Sequence, residues 1–146
     1  MMKTVCRITG MLALALLATQ VGRAQEPVLA NIPFAFTAGD TALPAGEYRV
    51  EKMRDNSSAV LIRCTEGSPA IIVMTLPASA NGPQEKTKLI FHGYGNRYFL
   101  AQIWSAGSSR GLELPKSPKE KEQGLLARNE TPDQVMIVAR LIPSRP

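Results

Sequence analysis

The chain has 146 residues, with 17 Lys and Arg against 12 Asp and Glu and a formal net charge of +5 at pH 7. Three of the basic residues, Lys3, Arg7 and Arg23, lie in the first 24 residues, which contain no acidic residue. The remaining 14 basic and 12 acidic side chains give a net charge near +2. That excess is too small to predict a nucleic-acid partner.

The N-terminal residues have the pattern of a secretory signal peptide. A basic head is followed by an apolar stretch that Arg23 ends, well below the roughly 20 apolar residues of a membrane-spanning helix. Ala24 is the small residue that a signal peptidase reads, so we predict cleavage between Ala24 and Gln25. The sequence thus predicts a signal peptide at 1–24 and one β-rich domain at 25–146. That domain is expected in the periplasm or outside the cell, without a transmembrane anchor.

Removal of the signal peptide leaves a single cysteine. Cys6 is lost with the leader, so Cys64 has no intramolecular disulfide partner. Val60, Ile62 and Cys64 share one face of a predicted strand, which favours a buried thiol over a reactive one. An intermolecular disulfide through Cys64 is the alternative.

The first half of the mature chain reads as strands and turns. Apolar residues alternate from Ile32 to Phe36, but Pro33 assigns that strand to a sheet edge or a bulge. Charged and apolar residues also alternate from Glu47 to Glu51, which places Tyr48 and Val50 in a core.

One hairpin is predicted between this strand and a strand at 59–64, and two further hairpins follow from the spacing of turn residues. The first joins a strand at 59–64 to one at 71–76, in which successive apolar residues from Ile71 to Met74 predict a central strand covered on both faces. The second joins 89–91 to 98–104 through a five-residue connection rich in glycine.

One short helix is predicted at 117–128. Ser117 fits the N-cap, Pro118 the first helical position, and Glu120 the third position of a capping box. Its only large apolar residues are Leu125 and Leu126, so we expect it at the surface, over an open end or an exposed edge. A last buried strand is predicted at 135–139.

About seven short strands without long intervening helices predict an all-β fold, a single-domain antiparallel sandwich with one short surface helix. The alternative is a small calyx-like β-barrel, because the pattern of strands is the same for a closed sheet and for two packed sheets.

Several segments resemble small, signal-peptide-bearing exported bacterial β-proteins of uncharacterised function. The resemblance rests on the stretch from Asn31 to Phe36, the turn 43–50, the segment 91–100 with Trp104, and residues 113–117. It covers most of the mature chain and implies a bacterial envelope setting. It implies no catalytic residue, ligand or partner.

The residue inventory predicts neither a catalytic nor a cofactor site. His92 is the only histidine, so a multi-histidine metal site is excluded and no metal is expected. A dyad of Cys64 and His92 is the sharpest hydrolase hypothesis, but no nucleophile motif surrounds Cys64. We therefore expect a protein that is not an enzyme and that needs no cofactor.

The best candidate for a recognition surface lies on the predicted hairpin at 89–104. Aromatic residues and arginine are the residue types that most often anchor binding sites. For Trp104 a core position is the alternative, since it shares strand parity with Tyr98 and Leu100. The candidate residues are His92, Tyr94, Asn96, Arg97, Tyr98 and Trp104.

These patterns favour a non-enzymatic binding or structural module of the cell envelope. It would contact an envelope or extracellular protein through the recognition hairpin or through an edge strand near Ile32 to Phe36. A carrier of a small apolar ligand in a β-barrel is the alternative, and a hydrolase is the weakest hypothesis.

Overall fold

The chain folds as two packed β-sheets in the computed structural model, which describes residues 27–54, 57–127 and 131–141. The predicted signal peptide, 1–24, lies outside these ranges. The elements within them are β1 Val28–Ile32, β2 Phe36–Ala38, β3 Thr41–Leu43, β4 Gly46–Lys52, β5 Ala59–Cys64, β6 Ala70–Met74, β7 Leu76–Ser79, β8 Lys88–Tyr94, β9 Arg97–Trp104, β10 Arg110–Glu113, α1 Pro118–Leu126, β11 Asp133–Val138 and β12 Arg140–Leu141.

The first sheet has the strand order β12-β1-β4-β5-β6, and all its neighbours are antiparallel. The second has the order β11-β8-β9-β10-β7, with the short β2–β3 hairpin beside β9. Among the strands of the described ranges, the contact of β2 with β9 is the parallel one, and an isolated bridge between Gln84 and Ala106 is parallel too. Within the described ranges neither sheet closes on itself, which confirms the predicted all-β sandwich over the barrel alternative.

At each of the two edges of the sandwich, the chain passes directly from an edge strand of one sheet to an edge strand of the other. β6 ends the first sheet and β7 ends the second, with only Thr75 between them. Thr75 is buried, and its N–H and Oγ1 both donate to the carbonyl of Ser58 at 2.8 Å. On the other side β11 and β12 are joined by Ala139, whose N–H donates to the carbonyl of Thr87. These two breaks add two strands to the predicted seven. The division of the segment 32–36 between β1 and β2 adds one more, and β3 and β10 were not predicted, so the described residues form twelve strands.

The core lies between the inward faces of the two sheets. β4 behaves as its alternation predicts, because Tyr48 and Val50 are buried. The phenol of Tyr48 is fully buried and donates to the carbonyl of Pro44 at 2.7 Å, so its polar atom is satisfied. Cys64 is also buried and unpaired, as the sequence predicts.

Aromatic rings connect the two sheets. Tyr48 of the first sheet meets Phe36 of the second edge to face, with ring centroids 5.2 Å apart. Phe36 in turn meets Phe91 at 5.5 Å, and Phe34 stacks on Tyr98 at 4.1 Å. Phe34 lies in the connection between β1 and β2, so the chain inserts this ring as it passes from one sheet to the other.

Two predicted strands differ in the structure. The segment from Ile32 to Phe36 is not an edge strand, because Pro33 breaks it and its two ends belong to different sheets. The segment 71–74 is not a central strand, because β6 ends the first sheet and Ile72 and Met74 are 59% and 61% exposed. Apolar residues at successive positions therefore mark an exposed strand here.

A β-bulge at Ala101 changes the side-chain pattern along β9. Phe91 pairs with Leu100 but Ile90 pairs with Gln102, so Ala101 is the additional residue. The side chains after the bulge therefore point to the face opposite to the one expected from simple alternation. Leu100 faces the core, whereas Trp104 faces the outer side of the sheet. Trp104 is nevertheless only 6% exposed, and its indole N–H donates to the side chain of Gln102.

Helix α1 begins as the sequence predicts and extends to Leu126, whereas the predicted end near 128 lies outside the described residues. The Ser117 hydroxyl accepts a hydrogen bond from the N–H of Glu120 at 3.1 Å, which satisfies a free donor of the first turn. Leu125 and Leu126 are 80% and 70% exposed, so they do not hold the helix on the sheet.

Gly111 is required by the packing of Trp104. A Cβ at position 111 would lie 2.6 Å from Cε3 of Trp104 and 2.8 Å from the carbonyl oxygen of Ile103. We expect Gly111→Ala to lower the free energy of unfolding by about 1–3 kcal/mol, because the indole must shift within a packed site. Urea unfolding followed by the fluorescence of Trp104 measures this loss.

Gly82→Ala is the matched control, because no atom lies within 4 Å of a Cβ placed there. A Gly111→Ala protein as stable as the Gly82→Ala protein would contradict the tight contact between residue 111 and the indole.

Candidate functional site

The six predicted recognition residues lie on β8, on β9 and in the turn between them. That turn contains only two residues, Gly95 and Asn96, because Tyr94 and Arg97 pair with each other. It is therefore shorter than the predicted five-residue connection. The structure divides the six residues into three environments instead of one surface.

His92 and Tyr94 bind helix α1 through a buried carboxylate. Oε2 of Glu120 lies 3.0 Å from Nδ1 of His92 and 3.0 Å from the hydroxyl of Tyr94. A carboxylate oxygen accepts from both, so Nδ1 of His92 carries the hydrogen. Glu120 is only 4% exposed, and it is the buried residue of the helix.

The predicted capping box is therefore only half formed. Ser117 caps the N–H of Glu120, but the Glu120 side chain points to the second sheet. The helix packs closely at Gly124, where a Cβ would lie 3.9 Å from Cε1 of Tyr94. Hydrogen bonds, rather than an apolar helix face, attach α1 to β8.

This environment changes the acidity of Tyr94. Burial raises its pKa, and the hydrogen bond to Glu120 and the negative charge of that carboxylate raise it further, to about 12. Tyr94 also meets Phe99 edge to face, with ring centroids 5.8 Å apart. His92 and Tyr94 thus have structural partners within the protein, and their side chains are only partly exposed.

Asn96, Arg97 and Tyr98 line a cleft of about 410 Å³ between the hairpin turn and α1. Phe36 and Phe99 contribute to its apolar wall. Lys119 lies beside the cleft, and its ammonium group donates to the backbone carbonyl of Asp40 at 3.0 Å. Of the six predicted recognition residues, Asn96, Arg97 and Tyr98 are thus the three that lie together around this cleft. Trp104 is buried elsewhere, against Gly111.

The hypothetical hydrolase dyad is not assembled. Cys64 faces the core from the first sheet, whereas His92 lies on β8 of the second sheet and binds Glu120. Among the residues that the structure describes, no three His, Cys, Asp or Glu side chains form a group that could hold a metal ion.

The sequence did not predict the exposed apolar edge strand that β6 forms. Ala70, Ile72 and Met74 point away from the core, and the strand contains no charged residue. The N–H of Thr75 donates to the carbonyl of Ser58, the residue before β5. Because hydrogen-bonded pairs alternate along an antiparallel ladder, the backbone N–H and C=O groups of Ile71 and Val73 also point toward β5.

The backbone N–H and C=O groups of Ala70, Ile72 and Met74 therefore point to the open side of the sheet. Within the described ranges no other strand pairs with them. Next to this edge runs a groove of about 390 Å³, whose far wall includes the turn at Gly39 and Asp40 and the segment 114–118.

The continuation of this edge into the second sheet differs. In β7 the backbone groups of every second residue, starting with Leu76, form hydrogen bonds with β10. The backbone of Pro77 therefore faces the open side, and proline has no N–H to donate there. A proline at this place prevents further strand pairing. β6 has no such protection.

The opposite side of the sandwich has a second open strand. β11 ends the second sheet, and its Met136 and Val138 are 52% and 55% exposed. It was predicted to be a buried strand, and this is wrong for those two residues. β11 begins with Asp133 and Gln134, so it is more polar than β6.

The described ranges thus form an all-β sandwich in which the edge strand β6 is apolar and contains neither proline nor a charged residue. In comparisons with known proteins, the chain matches no protein-family model, no curated protein and no solved structure. Within the described residues no helix is both long enough and apolar enough to cross a membrane.

The contact of Tyr94 with Glu120 predicts a measurable titration. We expect Glu120→Gln to lower the Tyr94 pKa from about 12 toward 10, without reaching 10, because burial is the largest cause of the shift. Since the folded-state pKa lies above the unfolded value, the stability associated with Tyr94 is present below pH 10. It is lost as the pH rises toward 12.

The unfolding free energy of Glu120→Gln should consequently fall less steeply between pH 10 and pH 12 than that of the unchanged protein. Tyrosine absorbance titration measures the pKa, and denaturant unfolding across this pH range measures the slope. Glu122→Gln, an exposed position on the same helix, is the control and should change neither. Equal titrations of the two variants would contradict the carboxylate–phenol contact.

Proposed function

We propose that this protein is an exported, non-enzymatic module of the cell envelope that binds an extended segment of another protein by strand addition at β6. A strand placed there would continue the first sheet and would satisfy the free backbone groups of Ala70, Ile72 and Met74. The export part of the proposal rests on the predicted signal peptide at 1–24.

The observation that carries the proposal is the unprotected state of β6. Exposed strand edges are normally blunted by proline, by charge or by shortness, because they otherwise pair with other chains. β6 has five residues, none charged, and two of its outward side chains are more than half exposed. The adjoining β7 has Pro77. Because Pro77 opposes pairing at β7, the open edge is limited to the five residues of β6, which suits a short extended segment of a partner.

The alternatives have less support. A carrier of apolar ligands needs a hollow barrel, whereas the inward side chains of the two sheets fill a common core. A hydrolase based on Cys64 and His92 needs two side chains that lie on different sheets. The cleft beside Arg97 is a secondary candidate surface. Lys119 and Glu122 both line it, so its charges are mixed and favour no one charge on a ligand.

The β6 edge can be tested with two matched methionines. Met74 and Met136 are both exposed, and each lies on a strand that ends a sheet. We expect Met74→Lys to abolish retention of an envelope protein by the immobilised mature chain, because a lysine on the edge opposes strand pairing. Met136→Lys should retain it. Both variants should unfold at the same denaturant concentration within error.

Hydrogen exchange locates the contact independently. Binding should slow exchange of the amides of Ile72 and Met74, which face the open side. Loss of binding in Met136→Lys alone, or unchanged exchange at both amides, would contradict the proposal. Light scattering distinguishes a second copy, because a dimer that Met74→Lys dissociates would make this chain its own partner.

Export is tested by the mass of the mature protein. Expressed with its own leader in a bacterial host, the chain should be recovered outside the cytoplasm with Gln25 as its first residue. Ala24→Phe should block processing, because the peptidase requires a small residue there. A cytoplasmic protein that retains Met1 would disprove export.

A further inference from the structure

We propose that the strand bound at β6 carries a carboxylate opposite Ala70, where it pairs with Arg63, and apolar side chains opposite Ile72 and Met74. The inference rests on the proposed strand addition and adds to it the partner's sequence pattern. In an antiparallel partner that pattern is apolar, polar, apolar, polar, acidic.

The pattern follows from the register of β6. Ala70, Ile72 and Met74 offer both N–H and C=O to the open side, so a partner residue lies directly opposite each of them. An antiparallel partner meets Met74 first, Ile72 second and Ala70 last. Side chains opposite each other share a face, so these three partner residues lie on the outer face of the sheet.

The apolar positions follow from exposure. Ile72 and Met74 are 59% and 61% exposed, and apolar partner residues opposite them would remove this surface from water. The partner positions between them face inward, toward the groove. Asp40, Thr41 and Lys116 line that groove, so polar side chains suit the two intervening positions.

The acidic position follows from a row of side chains on the outer face. Arg49 of β4 lies opposite Arg63 of β5, which lies opposite Ala70 of β6. Like charges directly opposite each other destabilise a sheet. Arg49 has a carboxylate neighbour, because its Nε lies 3.4 Å from Oε2 of Glu51. Among the described residues Arg63 is in no ion pair.

The size of Ala70 makes the carboxylate accessible to Arg63. Neighbouring strands lie about 4.8 Å apart, so a residue opposite Ala70 is two strand spacings, about 10 Å, from the backbone of Arg63. Only the methyl group of Ala70 lies between them. The long arginine side chain can extend over it, whereas a carboxylate opposite Ile72 would meet the branched side chain first.

A second copy of this chain does not fit the same requirement. If two β6 strands paired with Ile72 opposite Ile72, Met74 of one copy would lie opposite Ala70 of the other. That arrangement places no carboxylate opposite Ala70, so each Arg63 would gain no ion-pair partner from the second copy. The charge on this face therefore favours an acidic partner strand over self-association.

Two synthetic peptides test the inference. Both are acetylated, amidated nine-residue peptides with a central valine–threonine–valine–threonine run that is followed by glutamate in one and by glutamine in the other. Titration into the isotopically labelled mature chain is followed by the amide resonances of Ile72 and Met74. At low salt we expect the glutamate peptide to bind roughly two- to fivefold more tightly, as for an exposed ion pair.

Arg63→Gln should remove the preference for glutamate without removing binding of the glutamine peptide. The control is Arg140→Gln, an exposed arginine on the outer face at the opposite edge of the same sheet, which should keep the preference. Arg63→Gln should remain folded, since it relieves a like-charge contact with Arg49.

The outcomes separate the two proposals. If neither peptide shifts the amides of Ile72 and Met74, strand addition at β6 is wrong. If both peptides bind equally, or if the preference survives Arg63→Gln, strand addition stands and the acidic position is wrong. If the amides shift with protein concentration in the absence of peptide, the occupant is a second copy and the inference is overturned.

Discussion

The aromatic contacts between the two sheets are the interaction on which the rest of the fold depends. Tyr48 of the first sheet meets Phe36 of the second edge to face, and Phe36 meets Phe91 of its own sheet in the same way. Such pairs contribute about 0.5–1.5 kcal/mol each beyond the area that they bury. Cys64 is unpaired, so this packing, and no disulfide through Cys64, holds together the two sheets between which the chain passes at Thr75 and at Ala139.

Helix α1 reverses the usual division between apolar and charged residues. Its leucines face water, while Glu120 is buried and accepts hydrogen bonds from His92 and Tyr94. A buried carboxylate is stabilising only when its partners are in place, so the helix has one well-defined position over β8. This contact also explains why two residues that look like recognition residues in the sequence have an internal role.

Local patterns predicted the parts of the fold that depend on local chemistry. The alternation around Tyr48 and the cap at Ser117 are such parts, because each depends on residues a few positions apart. The open edge of β6 was not predictable in this way. A run of apolar residues looks the same in a central and in a terminal strand, and only the order of strands distinguishes them. The bulge at Ala101 likewise changes the face of Trp104 without any mark in the sequence.

The crossing at Thr75 has a mechanical consequence. A strand attached to β6 would be anchored to a segment that continues without a break into β7, and Thr75 is fixed at that point by two hydrogen bonds to Ser58. A pulling force on the bound strand would therefore act on the hydrogen-bond ladders of both sheets together.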